Sequence, residues 1–306
     1  MTIEALLTGK VMGLYLQLPA HQGGGDGFYE WNEEIQVLPF SDERSGSSIF
    51  MNQQQYQELV EKAIDSIRNQ NFNKVVTSRK VKVAFSAADG EALIQRWKDT
   101  FPNAYLFVIQ HPQWGLWLGA SPELLAFQSN GKLKTMALAG SKSIDDDSHW
   151  TEKEKEEHQV VVRMITQTLD DMGDVNRVVA SPIEVAMNSV KHLQTNIETE
   201  VKVPFREVVD HLHPTPALCG WPVQPAKRWI VENEGYDREL YGGVLKVRKE
   251  GKDWAIVLLR CIKIESNEAF AFVGGGIMEN SDANNEWKET QWKLKSFTFA
   301  ADEDLG

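Results

Sequence analysis

Cysteine is nearly absent. Cys219 and Cys261 are the only two in 306 residues. Neither has CxxC spacing or a histidine at zinc-finger spacing, which excludes a disulfide framework and a cysteine-built zinc module. Two buried, reduced thiols in a cytoplasmic protein are the expectation. Positive charge is also scarce: 32 Lys and Arg stand against 44 Asp and Glu, a net charge of −12. Without a concentrated basic surface the chain is not expected to bind nucleic acid. For an anionic substrate the long-range field opposes approach, so local cations would have to offset it. No apolar run approaches the ~18 residues of a membrane span, and Glu4 with only Val11–Leu18 as a short apolar stretch gives no secretory leader signal. No repeat of fixed period and no linker is visible. What is present is an ordinary globular composition, 42% hydrophobic and 25% charged, in a chain long enough to bury a large core.

Patterning predicts the elements. Val11–Leu16 reads as a short strand, followed by a loop at Gly23-Gly24-Gly25. Tyr56, Leu59, Val60, Ala63, Ile64 and Ile67 fall on one helical stripe. Asn71 and Asn73 end that helix, and Lys74-Val75-Val76 opens a strand. Ala104–Gln110 and Trp114–Ser121 read as a hairpin, as do Leu124–Gln128 and Lys132–Leu138 around Asn130-Gly131. A charged stretch, Asp145–Glu157, leads into a helix with Val161, Met164, Ile165, Thr168, Leu169 and Met172 on its buried side. His213-Pro214-Thr215-Pro216 marks a loop. Strands are predicted at Gly242–Val247, Trp254–Ile264 and Ala269–Val273. Gly274-Gly275-Gly276 interrupts the last, and a final helix starts near Ser281. Hairpin-linked strands with a few long helices indicate an α+β domain rather than alternating βαβ units.

Several residues could carry chemistry. Glu157 lies four residues before Val161 and eight before Ile165, on the apolar stripe of its helix, where a carboxylate needs a partner or a cation. The alternative is an acidic first turn favoured by the helix dipole. Glu286, Glu289, Thr290 and Lys293 form one polar face of the final helix. That face is either solvated, with a Glu289–Lys293 pair worth ~0.3–0.5 kcal/mol, or a carboxylate row joining Glu157 around a hard cation such as magnesium. Lys74 is either a surface lysine with a buried stem or, desolvated, a base. Glu123 is a turn carboxylate or a general acid whose pKa is raised by an apolar site. Arg260, deep in an apolar strand, calls for a bidentate acid partner, an internal salt bridge being the plain alternative. Gly274-Gly275-Gly276 is a strand-end turn or a row of N–H donors. His192 is a core histidine or a catalytic one.

Together these runs resemble the chorismate-utilising enzymes, the group containing isochorismate, salicylate, anthranilate and aminodeoxychorismate synthases. The resembling runs are Lys74-Val-Val-Thr-Ser-Arg79, Gly119-Ala-Ser-Pro-Glu-Leu-Leu125, Ala137-Leu-Ala-Gly-Ser141, Glu157-His158, His192-Leu-Gln-Thr195 and His213-Pro-Thr-Pro-Ala217. They continue through Asp237-Arg-Glu-Leu-Tyr-Gly-Gly243, Arg260-Cys261, Gly274-Gly-Gly-Ile277 and Glu286-Trp-Lys-Glu-Thr290 with Lys293. All stand in the family's order, over about residues 50–296.

The resemblance implies one large chorismate-binding domain, 1–306, with 1–50 a short N-terminal part and 51–296 the family core. It implies two packed, mainly antiparallel sheets with helices outside; the chain departs from the family in having only about 50 residues before the first clear helix, for which a reduced N-terminal sheet edge is the expectation. It implies magnesium held by Glu157 and Glu289 with Glu286 close by, the metal taking the ring carboxylate. Tyr241, Arg260 and the glycines, Gly274 and Gly276 among them, would hold the pyruvyl carboxylate, with Lys293 assisting. Ser141 and His192 also fall among the implied substrate-binding residues. Anthranilate synthases carry glutamine where this chain has Lys74. Aminodeoxychorismate synthases carry a nucleophilic lysine where this chain has Ala139. The resemblance therefore favours water as nucleophile, with Lys74 as base, Glu123 as acid and no glutaminase subunit. The expected activity is that of an isochorismate synthase, in menaquinone or siderophore synthesis. The alternatives are a salicylate synthase that goes on to eliminate pyruvate, an anthranilate or aminodeoxychorismate synthase component, and a non-catalytic relative.

Overall fold

The computed structural model describes residues 1–19, 22, 25–40, 50–85, 89–187, 189–265, 268–295 and 297. The loop expected at Gly23-Gly24 and the end of the family core at Ser296 lie outside the described residues. The chain opens with α1 (Ile3–Leu7), β1 (Gly13–Gln17), β2 (Asp26–Tyr29), β3 (Ile35–Leu38), α2 (Gln53–Arg68), β4 (Lys74–Val83) and α3 (Gly90–Thr100). Next come β5 (Tyr105–His111), β6 (Gly115–Ser121), β7 (Leu124–Ser129), β8 (Lys132–Ser143) and α4 (Glu152–Asp171). The middle holds β9 (Val175–Val179), β10 (Ile183–Met187), β11 (Val190–Glu200), α5 (Phe205–Leu212), β12 (Gly220–Trp221) and α6 (Val223–Asn233). Last are β13 (Val244–Lys249), β14 (Lys252–Val257), β15 (Cys261–Glu265), β16 (Glu268–Ile277) and α7 (Ala283–Leu294).

The strands form two antiparallel sheets. One runs β12-β4-β16-β15-β6-β5-β1-β2. The other runs β10-β11-β8-β7-β14-β13-β3, with β9 also on β11. Alternation along each strand sends one set of side chains inward. Leu16, Phe107 and Phe272 of the first sheet meet Met136, Leu245 and Ile256 of the second. The opposite faces are covered by helices: α3 packs on the first sheet, α4 and α5 on the second. The stripe read on α2 is buried residue for residue and packs with α6 and α7 against the ends of β4 and β16. Each such large side chain contributes about 1.5–3 kcal/mol when fully buried. A capping box starts α2: Asn52 Oδ1 accepts from Gln55 N–H and Gln55 Oε1 from Asn52 N–H, both at 3.0 Å. In the β7–β8 hairpin, Asn130 and Gly131 both have positive φ (51° and 77°), as a two-residue turn of matching twist requires. Both cysteines are buried and free.

Three expectations need correcting. Trp254–Ile264 is not one strand: Leu258-Leu259-Arg260 breaks it, with Arg260 at φ 46°, and carries the chain from the second sheet to the first. Arg260 therefore sits at a crossing point rather than inside a strand. The link Pro122-Glu123 between β6 and β7 crosses the other way. The two crossings lie side by side, for Ala120 N–H donates to Arg260 O and Val257 N–H to Glu123 O, both at 3.1 Å. Gly274-Gly275-Gly276 neither interrupts β16 nor turns. All three lie within the strand, paired to Ser78, Thr77 and Val76 of β4. The polar face of α7 is not solvated: Glu286, Glu289 and Thr290 are buried. Arg79 explains this, since its Nε donates to Thr290 Oγ1 (3.0 Å) and its Nη2 to Gln291 Oε1 (2.9 Å). Its guanidinium also lies 3.9 Å from the Trp287 ring centroid, pinning the helix onto β4.

Candidate active site

The two crossings, the ends of β4 and β16, the bulged half of β8 and the inner faces of α4 and α7 enclose a cleft. Its open volume is about 740 Å³, solvent-open mouth included. Glu123, Ser141, Glu157, His192, Tyr241, Arg260, Gly274, Gly276, Glu289 and Lys293 all line it. Lys74 and Glu286 stand just behind this wall.

Local structure sets each position. Register slips between His192 and Leu193, so that β11 pairs with Ser141 and Ala139 and skips Gly140. Gly140 takes φ 76°, which suits glycine. The bulge turns the Gly140 carbonyl to within 3.0 Å of His192 Nδ1 and brings Ser141 Oγ to 3.1 Å. Arg260 Nη2 lies 3.1 Å from His192 Nε2. A ring that accepts from Arg260 at Nε2 must carry its proton on Nδ1, donating it to Gly140 O. Burial, Arg260 and Lys293 push His192 down to about 3, so the imidazole is neutral. Ser141 also helps to hold the Glu289 carboxyl down, after Lys293 and Lys153. Lys293 then donates to Glu289 Oε1 (2.5 Å) and to Gly274 O (2.6 Å). One polar chain thus runs from the β14–β15 crossing to α7.

The carboxylates gather where α4 and α7 face the glycines of β16. Lys74, with no exposed surface, places Nζ 3.0 Å from Glu157 Oε1 but makes no aligned hydrogen bond among the described residues. Lys153, which sequence reasoning missed, puts Nζ 2.9 Å from Glu286 Oε1 and 4.0 Å from Glu157 Oε2. Ser281 Oγ donates to the same Glu286 oxygen at 2.7 Å. The other, Oε2, is buried without a partner. Burial raises Glu286 to about 7 although Lys153 opposes it. Burial also pushes Glu289 up, but Lys293 and Lys153 outweigh it and hold that carboxyl below its ordinary range. Among the described residues no three His, Cys, Asp or Glu side chains converge as a ready-made metal cage.

Glu123 differs. Burial pushes its carboxyl up to about 8, with Lys74 pulling weakly the other way. It is protonated near neutrality and able to donate. Lys153, Lys293 and Arg260 thus face three carboxylates and a neutral acid, so the cleft gathers cations in a protein of net charge −12. Tyr241 walls the cleft, its ring stacked on Phe272 with centroids 5.5 Å apart.

The glycines are explained by space. A Cβ on Gly276 would lie 2.0 Å from Glu157 Oε1 and 2.9 Å from Lys74 Cε, and one on Gly274 would lie 2.3 Å from Thr77 O. Gly276→Ala is expected to overpack this wall and cost about 1–3 kcal/mol in stability. Urea unfolding would check this, and an unchanged midpoint would show that the wall yields freely.

Comparison with known proteins places this arrangement. Residues 32–300 match the family described as chorismate binding enzyme. Isochorismate synthase EntC of Escherichia coli strain K12 is 31% identical over 255 residues, 79% of this chain and 65% of that protein. Isochorismate synthase MenF of Bacillus subtilis strain 168 is 29% identical over 258 residues, 79% of this chain and 54% of that protein. The solved menaquinone-specific isochorismate synthase MenF from Escherichia coli is similar with a TM-score of 0.71 at 25% identity, over 87% of this chain and 64% of that one. The chain spans just under two thirds of the length of the first of these relatives and about half that of the second. The family match takes in β4, both crossings, α4, β16 and α7, every element that builds the cleft, and the chain belongs to the chorismate-binding enzymes.

Proposed function

We propose that this protein is an isochorismate synthase, adding water at C2 of the chorismate ring with loss of the C4 hydroxyl, reversibly. The whole chain would act as one catalytic unit. The observation that carries the reading is that one cleft brings together a fully buried lysine, Lys74, behind its Gly276 wall and a buried carboxyl, Glu123, pushed up to about 8 by burial. Lys74 in its amine form would take one proton from the attacking water as its oxygen bonds to C2. The ring double bond shifts, the C4–O bond breaks, and Glu123 would hand its proton to the departing hydroxyl, which leaves as water. Arg260 and Lys293, with Tyr241 and the Gly274–Gly276 backbone, would hold the pyruvyl carboxylate. Neutral His192 and Ser141 keep Arg260 and Glu289 in place.

Magnesium fits the remaining residues. Glu157, Glu286 and Glu289 are hard oxygen donors, and Glu286 Oε2 is a buried acceptor with nothing to accept from. These three would hold the ion, which would supply positive charge for the ring carboxylate.

The test is product identification by chromatography after incubation with chorismate and magnesium, with and without ammonium. Isochorismate is expected in both arms. Anthranilate or aminodeoxychorismate as main product with ammonium would overturn the water reading, and salicylate would show that pyruvate elimination follows. Absence of turnover would leave a chorismate-binding relative without activity.

A further inference from the structure

Lys153 is not needed for the chemistry above, yet it occupies the centre of the carboxylate cluster. It rises from the first turn of α4, one turn ahead of Glu157. Its ammonium joins two helices, contacting Glu286 of α7 at 2.9 Å and Glu157 of α4 at 4.0 Å, and it feels Glu289 as well. Lys74 and Lys293 each serve one carboxylate. Lys153 alone among these three lysines bridges two. An ammonium sits about 2.7–2.9 Å from a carboxylate oxygen, whereas magnesium requires about 2.0–2.1 Å in near-octahedral geometry. Two cations a few ångströms apart repel, so magnesium held by these glutamates would push the Lys153 ammonium away even though Glu286 Oε2 is open to the metal.

We propose that Lys153 is the internal counter-ion of the Glu157–Glu286–Glu289 cluster, holding α4 and α7 together without a divalent ion and withdrawing when one binds. It would thereby set the concentration of divalent ion that the protein requires. This rests on the magnesium reading. The structure offers a place for the displaced side chain. Lys153 also borders a surface pocket outside the cluster, with an open volume of about 1170 Å³, mouth included, lined by Glu156 and Glu279, two exposed carboxylates able to receive an ammonium. Without Lys153, Glu157 keeps Lys74 and Glu289 keeps Lys293, but Glu286 is left with Ser281 alone, and the lysine offsets the cost of that buried carboxyl until a divalent ion does so.

The test is calorimetric titration of magnesium chloride into the metal-stripped full-length protein, without chorismate, beside thermal unfolding with and without the ion. Lys153→Gln is expected to bind magnesium at least ~10-fold more tightly than wild type, because a like charge a few ångströms from the site is gone. Metal-free Lys153→Gln should melt lower than wild type, and saturating magnesium should close that gap. Lys153→Arg keeps the cation and should keep wild-type affinity, which provides the reading should the glutamine variant not fold. Magnesium binding to Lys153→Gln no tighter than to wild type would overturn the proposal while leaving the metal site standing. So would Lys153→Arg binding as much as ~10-fold more tightly than wild type. No magnesium binding to wild type at all would remove the metal reading and this proposal with it.

Discussion

Glu123→Gln and Lys74→Ala are each expected to lower kcat by ~10²–10⁴-fold, the usual contribution of a general acid or base, while chorismate still binds. Neither residue is assigned to hold a carboxylate, so calorimetric affinity should hold while turnover collapses. Arg260→Ala should weaken both. The pH profile supplies an independent check. With Glu123 at about 8, kcat/KM should fall as pH rises through that value, and the glutamine variant should lose this limb. The stability linkage has the matching sign. The folded value of about 8 lies above the ordinary 4.5. Glu123 therefore contributes its full stabilisation below about pH 4.5, and that contribution is lost as pH rises towards 8. If Lys74→Ala turns over chorismate at the wild-type rate, Lys74 only counterbalances Glu157 and the mechanism fails.

Glu234→Ala is expected to cost about 3–5 kcal/mol in unfolding free energy, the range for breaking a buried ion pair and stranding its partner. Glu234 and Arg238 are 1% and 4% exposed. Glu234 Oε1 accepts from Ser78 N–H at 2.7 Å and from Ser78 Oγ at 3.0 Å, and Oε2 accepts from Arg238 Nε at 2.8 Å. Arg238 in turn donates to Leu218 O (2.9 Å) and Val76 O (2.6 Å), both in the cleft wall. Without Glu234 a guanidinium remains buried against carbonyls and the Phe40 ring with no anion to balance it, and the wall it ties together loosens. Denaturant unfolding measures the loss, and a change below about 1 kcal/mol would show that water or a shifted side chain takes the carboxylate's place.

The sequence was most informative where periodicity and chemistry disagreed. Glu157 on an apolar stripe was legible because a buried face has no ordinary use for a carboxylate. The α2 stripe and both hairpins were legible from spacing and turn residues alone. Lys153 was not, because Glu152–Glu156 is charged throughout and nothing local separates the residue that points inward. Arg238 stood in a recognised run without a role, since its partner Glu234 looks like any acid near the end of a helix. The crossing at Leu258–Arg260 was hidden because both sheets bury their strands here, so the apolar run continues unbroken while the backbone changes partners. Three consecutive glycines suggested a turn. They lie within a strand because carboxylates, a lysine and the neighbouring strand occupy the space that side chains would need.

The paired crossings bear on how such a protein could be re-engineered. Many enzymes keep their reactive groups on separate loops, each of which can be exchanged without disturbing the rest. Here Glu123 and Arg260 sit on two adjacent seams that are hydrogen-bonded to each other's flanking strands. They are inherited as one part, and grafting either segment alone would slide one sheet's register against the other. New specificity has to be written in side chains that face the cleft from elements already in place, such as Leu138, Leu259 and Phe272, leaving both seams intact.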